Sequence, residues 1–585
     1  MSGFVPGRRA LLLGLCLAVP GTIARTSGAQ TAATTKAVTA ADSLRILKRA
    51  KSAQVQFESR RRFQAPLHYR DTDGHCEPIG RFCVRHTGEA LSDIPSEPAA
   101  TTRERQKLLA TLATAAARLP SDSWITGQRV RYFVEEGDDS AAIAVAASCA
   151  AESWWCDALR GLALHANGSL VRAQQAFDRS LAGMPQLMRC DWTDLSVLLE
   201  GKALDSYRKL DCDTRQKANT RIWWLSDPLF VTPGNERRTA HYARLTWARI
   251  EKDGSNGFGM AWGDDMQEII VRYGWAEKWT VLPSTTMLYS ERSYVAHERE
   301  PNFHFFPAFS YDRPLDAFGD SAWDLSDDRP HESYAPEEIT RIERLEPQVA
   351  RFRRGDSTLI IAAFDVSGDT AWSSPVMRSA LVIAPDDTAR FSIAVLDSAA
   401  RRDALSIVTA TRPMLVGLEL LSPDRHTAAR WRSALRPITI ESTAPVLSDL
   451  LLFDATDSLA TDLNGAMATA LGTRFVPQDK KIGVYWETYG SSPKDSALAI
   501  SLSLVPLSPG LLTRAIQALG IGRRREPVNI RWTESAIGGG SAIAAQSMLF
   551  DLSQAPHGKY ELRLEVGNPG LPSTVARATR VIEIR

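Results

Sequence analysis

The chain has 585 residues, which is too many for one hydrophobic core, because single cores stop growing at roughly 250–300 residues. Several domains are therefore expected. The 69 Lys and Arg residues balance 68 Asp and Glu residues, so no global field favours nucleic acid or an anionic bilayer. An apolar fraction of 44% and a charged fraction of 23% are typical of a folded globular protein.

Residues 1–29 have the three parts of a secretory signal peptide. Arg8 and Arg9 precede an apolar stretch at residues 10–19, and Ser27, Gly28 and Ala29 offer small residues for cleavage. The apolar stretch is much shorter than the roughly 20 residues that a membrane-spanning helix needs. We therefore predict a periplasmic, outer-membrane-associated or secreted protein with no transmembrane segment after signal removal. The arginine pair leaves the choice between general secretion and twin-arginine export open.

Six cysteines follow the signal, and all of them lie between residues 30 and 215. They are Cys76, Cys83, Cys149, Cys156, Cys190 and Cys212. An even number of cysteines in an exported chain favours disulfides. Sequence alone does not fix the connectivity, but we prefer local pairing of each cysteine with its nearest neighbour in the chain.

Residues 30–215 show the apolar period of α-helices and are predicted to form an α-helical repeat-like domain. Thr39 and Asp42 form a capping-box pattern for a first helix that begins near residue 40. Residues 66–95 are rich in turn formers and are predicted to be a disulfide-bounded loop. A second helix is expected over residues 104–119, where Pro120 ends it.

The stretch that ends at Pro185 matches the residue pattern of the tetratricopeptide repeat. The matching positions are Gly161, Gly168, Ala173, Phe177, Ser180 and Pro185. Small residues let two antiparallel helices approach closely, Gly168 turns the chain, and Phe177 fills the space between helices. We therefore expect a tetratricopeptide-like helix pair here, with neighbouring helices completing the stack.

Residues 216–340 are predicted to contain a domain followed by an aromatic-rich connector, and about residues 220–280 carry a family resemblance. The segments that carry it are IWWLSDP at 222–228, NE at 235–236, HYARL at 241–245, AWGDD at 261–265 and VRYG at 271–274. This pattern resembles the GWxTD domain of bacterial exported proteins, although Ala261 and Asp264 replace the signature glycine and threonine. The resemblance implies export and a helical-plus-β architecture, and it supplies no reaction, ligand or catalytic residue.

Candidate binding residues in the GWxTD-like segment are Trp262, Asp264, Asp265, Arg272 and Tyr273. We expect Asp264 and Asp265 to begin an apolar strand that ends near Gly274. Paired carboxylates can bind a cation or act as acid and base, but aspartate is also common in turns because it bonds nearby backbone amides. The presence of Arg272 close to the two aspartates is explained equally well by a buried ion pair between Arg272 and Asp264 or Asp265.

Histidines and prolines are concentrated in an aromatic-rich connector at residues 283–336. His297, His304 and His331 lie there, but their spacing matches no metal motif. His75, Cys76, Cys83 and His86 suit zinc by residue type, whereas an exported protein favours a disulfide at the two cysteines. No phosphate-binding loop or nucleophile elbow occurs. We predict no metal and no cofactor.

After residue 343 the apolar period changes from helical to alternating. Short β-branched runs separated by Gly, Pro and Asp predict two antiparallel β-sandwich domains, at residues 341–444 and 445–585. Tyr560, Leu562, Leu564 and Val566 alternate with charged residues, as in a strand with one buried face. The predicted fold is therefore multi-domain α plus β.

Two functions are compatible with this architecture. Helical repeats present concave surfaces, so the first is a non-enzymatic envelope protein that acts as a protein-binding or scaffolding module, with protein partners and no nucleic acid. The alternative is an exported hydrolase whose site lies between residues 262–274 and the connector. That alternative requires Asp264 and Asp265 to converge with His297 or His304.

Overall fold

The computed structural model describes eighteen ranges of the chain. They are residues 39–64, 77–86, 97–276, 278–280, 293–297, 303–304, 333–334, 336–337, 339–374, 376–385, 392–439, 445–456, 458–478, 481–490, 497–507, 528–535, 543–567 and 575–585. Within them the chain is a mixture of helices and several sheets, which confirms the predicted α plus β class. Helices dominate before residue 274 and strands dominate after residue 341.

The helical part is an array of short helices. They are α1 (Ala40–Gln64), α2 (Ala99–Arg118), α3 (Ser123–Glu136), α4 (Asp139–Ala147), α5 (Ser153–Ala166), α6 (Leu170–Gly183), α7 (Gln186–Trp192), α8 (Gly201–Tyr207), α9 (Cys212–Leu225), α10 (Glu236–Lys252) and α11 (Asp264–Tyr273). The first helix begins where the capping box predicts, with Thr39 Oγ1 accepting from the Asp42 backbone N–H. Two of the predicted disulfides, Cys149–Cys156 and Cys190–Cys212, are present. Cys83 is also disulfide-bonded, whereas Cys76 lies outside the described residues.

Helices α5 and α6 pack against each other through Gly161 and Phe177. A Cβ atom at Gly161 would lie 2.5 Å from Cε1 of Phe177, so only glycine allows this approach. Gly168, in the turn between the two helices, has a φ of 69°, which favours glycine. The roles that the sequence predicts for these three residues are therefore confirmed.

Gly161→Ala is expected to lower the free energy of unfolding by about 1–3 kcal/mol, because the added methyl group overpacks a buried contact. Gly183→Ala is the matched control, since its Cβ would meet Trp154 Cβ at an ordinary 3.5 Å. Alanine raises helix propensity there, so we expect no loss of stability. Urea denaturation followed by far-UV circular dichroism measures both changes. Equal destabilisation by both variants would contradict the packing argument.

A small sheet joins the early chain to the centre of the molecule. Its strands are β1 (Glu77–Ile79), β2 (Phe82–His86), β3 (Lys278–Thr280) and β4 (Ser293–His297), in the order β1-β2-β4-β3. Residues 77–86 therefore form an antiparallel hairpin rather than the expected loop. Residues 264–273 form helix α11, so the predicted apolar strand is wrong there. Met266, Ile269 and Ile270 recur at helical spacing and pack on Ile79, Phe82 and Val84 of the hairpin.

Residues 303–435 contain a short ladder and a first pair of sheets. The ladder joins β5 (Phe303–His304) and β6 (Ser333–Tyr334), and the paired sheets have the orders β11-β10-β13-β14-β7 and β12-β9-β8. Their strands are β7 (Arg341–Arg344), β8 (Gln348–Arg354), β9 (Ser357–Asp365), β10 (Val376–Pro385), β11 (Ser392–Ala400), β12 (Arg402–Ala410), β13 (Met414–Leu421) and β14 (Thr427–Leu435). Ile360 and Phe364 of one sheet share a core with Leu381 and Leu418 of the other.

A second pair of sheets follows. One has the order β15-β18-β16 with β21 also on β18, and the other has the order β17-β23-β22-β19-β20. The elements are β15 (Val446–Leu447), β16 (Leu451–Asp454), α12 (Leu463–Ala468), β17 (Phe475–Val476), β18 (Lys481–Tyr489), β19 (Ala497–Pro506), β20 (Val528–Ser535), β21 (Ala544–Asp551), β22 (Gly558–Gly567) and β23 (Ala576–Ile584). The predicted alternation of β22 is confirmed, since Tyr560, Leu562, Leu564 and Val566 are buried.

The layers stack on one another from the helices to the last sheet. Trp223 and Phe230 of the helical part share a core with Ala380 and Val382 of β10. On the far side, Phe352 of β8 packs with the second sheet pair. Among the described residues, no helix combines the length and the apolar character needed to cross a bilayer.

Candidate functional site

A cleft lies where the helical array meets the first sheet pair. It has a volume of about 1120 Å³ and is walled by α6, α7, α9, the start of α10, strands β10 and β11, and residues 226–235, here called the linking segment. A volume slightly above 1,000 Å³ is at the upper end of ordinary ligand pockets. The cleft is therefore large enough for a ligand of several residues.

The linking segment is held on the sheet by a buried ionic pair. Arg432 Nη2 donates to Glu419 Oε1 at 2.8 Å, and the Val231 backbone N–H donates to Glu419 Oε2 at 2.8 Å. Arg430 Nη1 donates to the Pro228 carbonyl oxygen at 3.1 Å. Glu419 and Arg432 are almost fully buried. Because the bonds to Val231 and Pro228 cross from the sheet to the linking segment, the wall of the cleft is fixed relative to β13 and β14.

Aromatic side chains form the floor of the cleft. Trp223, Trp224, Phe230 and Tyr242 all line it and are between 2% and 6% exposed. Trp223 lies against Tyr242 with ring centroids 6.1 Å apart. Asn235 caps α10 by accepting from the Arg238 backbone N–H, and its side chain donates to the Trp223 carbonyl oxygen. The floor is thus rigidly supported by α9 and α10.

Two buried polar atoms of the lining have no hydrogen-bond partner among the described residues. They are Asp227 Oδ1 and Trp224 Nε1. Burial raises the pKa of the Asp227 carboxyl well above its usual value, and the Arg432 guanidinium opposes this only in part. Buried polar groups in native structures are nearly always bonded. Both atoms are themselves inaccessible to solvent, so they are not open points of attachment for a ligand.

Charges of both signs surround the aromatic floor. Arg238 Nη2 pairs with Asp178 Oδ1 at 2.6 Å, and Arg378 Nε lies 3.1 Å from Asp397 Oδ1. Arg189 and Asp213 also line the cleft, and neither makes an ion pair with another described residue. A ligand that carries both a carboxylate and an ammonium or guanidinium group would meet complementary charges here.

One wall of the cleft is the edge strand β11. It pairs with β10 on one side, and no other described strand pairs with it. Ile393 and Val395 face the cleft and are each 39% exposed. An exposed apolar edge offers both backbone hydrogen bonds and side-chain contacts to an extended chain.

The residues that the sequence selected lie elsewhere, on α11 and just before it. Asp265 makes a bidentate ion pair with Arg81 of the β1–β2 turn at 2.7 Å. This pair lowers the pKa of the Asp265 carboxyl to about 2. Asp264 is exposed. Pairing of an aspartate with Arg272 is therefore wrong, because Arg81 takes that role. The two adjacent carboxylates point to different environments and do not act as a pair.

Arg272 and Tyr273 also bind the hairpin. Arg272 Nη1 donates to Glu77 Oε1 at 3.0 Å and pairs with Glu268 at 2.8 Å, while the Tyr273 hydroxyl donates to Glu77 Oε2. Trp262 packs at the edge of the core between α11 and the hairpin. In this geometry four of the five selected residues hold α11 and the hairpin together, and the exposed Asp264 does not take part.

For His297 and His304 of the connector, the structure describes the position in a strand and not the side chain. His297 ends β4 opposite His86, and His304 lies in the β5–β6 ladder. Their side chains, and His331 as a whole, lie outside the described residues. Among the described residues, no group of three or more His, Cys, Asp or Glu side chains could hold a metal ion.

A triad-like arrangement occurs at Thr239, His165 and Glu337. His165 Nδ1 lies 3.2 Å from Thr239 Oγ1, and its Nε2 lies 3.3 Å from Glu337 Oε1. Thr239 is fully buried, however, and its hydroxyl donates to helix carbonyl oxygens of Asn235 and Glu236. A buried hydroxyl that donates to carbonyl oxygens of its own helix is not an accessible nucleophile.

The cleft was missed by sequence reasoning, although its residues were quoted. Trp223, Trp224, Asp227, Asn235 and Tyr242 belong to the first half of the pattern at residues 222–274, and all five line the cleft. The selected residues came from the second half of that pattern. The available signal was an Asp-Pro turn between two Trp-rich helical segments.

Comparison with known proteins gives no assignment. No family model matches the chain, and no curated protein matches it. Solved structures of β-glucuronidases from Bacteroides uniformis align weakly. A calcium-binding mutant of β-glucuronidase 2 has 7% identity and a TM-score of 0.15, over 38% of this chain and 26% of that one. A second β-glucuronidase structure has 6% identity and a TM-score of 0.14, over 39% and 26%. The chain thus spans about a quarter of the proteins it matches, and likeness at this level carries neither a fold nor an activity.

Proposed function

We propose that this chain is an exported envelope protein without catalytic activity of its own, which binds an extended polypeptide segment in the cleft. The observation that carries the proposal is the cleft itself, where an apolar edge strand faces a rigid aromatic floor. Two disulfides are compatible with export. The resemblance of residues 220–280 to GWxTD domains also supports export to the cell envelope.

In this proposal the predicted domains have separate roles. Residues 30–215 are a tetratricopeptide-like domain and residues 216–340 a GWxTD-like domain. Residues 341–444 and 445–585 are two β-sandwiches. The first sandwich contributes the edge strand, and the second extends the stack. The cleft therefore depends on three of the four units.

An extended polypeptide is the ligand class that fits the walls best. Edge strand β11 has nine residues, whose free backbone groups can pair with an added strand. Ile393 and Val395 would contact alternate side chains of that strand, while Arg189 and Asp213 would select charged ones. Natural proteins usually blunt such edges with lysine or proline, which β11 lacks.

The alternative of an exported hydrolase at Trp262, Asp264, Asp265 and His297 or His304 has less support. Asp265 is already ion-paired with Arg81, and the exposed Asp264 makes no ion pair with another described residue. Neither is held as a general acid or base must be.

Selection from a random peptide library displayed on phage tests the proposal. Selected peptides are expected to bind the full chain and to lose at least about tenfold in affinity for Val395→Lys, because the lysine places a charge on the apolar wall. Val408→Lys on β12 is the matched control, since Val408 is an exposed strand valine outside the cleft.

Two outcomes would overturn the proposal. One is a failure to select any peptide that distinguishes Val395→Lys from Val408→Lys. The other is selection of peptides whose binding is unaffected when their backbone amides are N-methylated, because strand addition requires those donors.

A further inference from the structure

Helix α1 has a strongly basic composition within a nearly neutral protein. It contains seven cationic side chains, Arg45, Lys48, Arg49, Lys51, Arg60, Arg61 and Arg62, against the two acidic residues Asp42 and Glu58. The whole chain has a formal charge of only +1. The overall balance therefore conceals a local positive field.

Only one side of α1 is needed for packing. Ala50, Gln54, Phe57 and Glu58 are buried against α2 and α3. Glu58 accepts hydrogen bonds from the side chains of Arg131 and Tyr132. Asp42 pairs with Arg45 at the start of the helix. Both acids of α1 are therefore engaged, and neither neutralises the opposite side.

The opposite side, here called the outer face, combines free cations with exposed apolar residues. Leu44, Val55 and Phe63 are 70%, 50% and 86% exposed. Lys48, Arg49 and Arg62 make no ion pair with another described residue, and Lys51 lies over the Trp124 ring. Leu44, Lys48, Lys51 and Val55 follow helical spacing and line one shallow groove of about 640 Å³.

We propose that the outer face of α1 docks the protein on an anionic phospholipid surface. Cations on this face can meet lipid phosphates, while its exposed apolar side chains can enter the acyl boundary. Charge complementarity selects anionic lipid. The exposed Leu44, Val55 and Phe63 favour a bilayer over a nucleic acid, because a phosphate backbone would leave them in water.

Docking through α1 leaves the peptide cleft accessible. The cleft is lined by residues from 174 onwards, and none of its lining residues belongs to α1, α2 or α3. The two sites can therefore be tested independently, and failure of one does not affect the other.

The test is co-sedimentation of the full chain with vesicles of phosphatidylcholine, alone or mixed with phosphatidylglycerol. The unmodified chain is expected to bind only the mixed vesicles. Lys48→Glu, Arg49→Glu and Lys51→Glu together are expected to reduce partitioning at least about 100-fold, since each cation near the surface contributes about fivefold. All variants share residues 1–29, so differences between them arise from the substituted residues.

The matched control reverses three exposed lysines elsewhere, at Lys202, Lys209 and Lys217. It changes the net charge equally and is expected to alter partitioning less than about threefold. A second variant, with Leu44, Val55 and Phe63 each changed to serine, keeps the charge and is expected to lose binding at high salt, where the apolar contribution dominates.

Several results would overturn the proposal. Equal losses in the two charge-reversed proteins would show a non-specific charge effect. Binding of heparin or single-stranded DNA that exceeds vesicle binding and is unaffected by the serine variant would assign the face to a polyanion. Absence of vesicle binding by the unmodified chain at low salt would also exclude docking on lipid. This result is expected if the natural partner of the outer face is an acidic protein.

Discussion

Arg131→Met is expected to lower the free energy of unfolding of the helical array by about 3–5 kcal/mol, because it removes a buried cation that stabilises the ionised, buried Glu135 and breaks the hydrogen bond to Glu58. Arg131 is 1% exposed. Its Nη2 lies 3.0 Å from Glu58 and 2.9 Å from Glu251, and its Nε donates to Glu135 at 2.7 Å. Arg61, which pairs with Glu135 at 2.7 Å and with Glu58 at 3.8 Å, would remain.

Arg129→Met is the matched control for this prediction. Arg129 lies on the same helix, is partly buried and makes no ion pair with another described residue. Its replacement is expected to cost less than about 1 kcal/mol. Urea denaturation followed by helical circular dichroism compares the two variants. A similar loss in both would show that the cluster contributes no more than ordinary packing.

The same cluster predicts the pH dependence of stability. Burial raises the pKa of Glu251 to about 8, although Arg131 opposes the shift, whereas Arg61 and Arg131 lower the pKa of Glu135 to about 2 against its burial. Between pH 4.5 and 8 the folded state holds a proton on Glu251 that the unfolded state has lost, so stability falls as pH rises. The Glu135 contribution is present above pH 4.5 and is lost as pH falls towards 2.

Glu251→Gln should therefore flatten the stability profile between pH 4.5 and 8, so that the variant gains stability over the unmodified protein as pH rises towards 8. Glutamine keeps the shape of the side chain and cannot ionise. Denaturation midpoints measured across this range test the prediction. An unchanged slope in the variant would mean that Glu251 is ionised at neutral pH in the folded protein.

Local patterns predicted the local structure well. The capping box fixed the start of α1, and the spacing of Gly161, Gly168 and Phe177 predicted a close helix pair because each residue has one steric role. Cysteine pairs close in sequence formed the two disulfides. These features depend on residues within about one helical hairpin, where sequence distance and spatial distance agree.

The prediction for residues 264–273 was wrong because two signals competed. Ile269, Ile270 and Val271 are β-branched and favour a strand, but Met266, Ile269 and Ile270 lie on one helical face that is buried on the hairpin. Asp264 and Asp265 then occupy the first turn, where carboxylates are favoured by the helix dipole. Burial against a distant partner decided between the two.

The cleft and the α1 surface were beyond sequence reasoning for a different reason. The walls of the cleft come from residues 174 to 395, and nothing local brings β11 to α9. The positive charge of α1 does not show in the total charge of the chain, because acidic residues elsewhere balance it. Which side of α1 is exposed depends on the packing of α2 and α3 against the other side. Both are properties of how the elements are assembled.

The junction between the linking segment and the sheet gives the second large prediction. Glu419→Ala is expected to cost about 3–5 kcal/mol, because Arg432 is left charged and buried and the Val231 N–H loses its acceptor. Asp397→Ala is the control, since its pair with Arg378 lies on the surface and is expected to contribute less than about 1 kcal/mol.

Changing both partners separates the cost of an orphaned charge from the value of the pair. The double variant Glu419→Leu with Arg432→Met is expected to recover most of the stability, because apolar replacements of a buried pair are often neutral. Tryptophan fluorescence during urea denaturation reports the junction through Trp223 and Trp224, which pack there. If the double variant were as unstable as Glu419→Ala, the ionic pair itself would hold the helical array on the sheet, and the apolar contacts of Phe230 would be secondary.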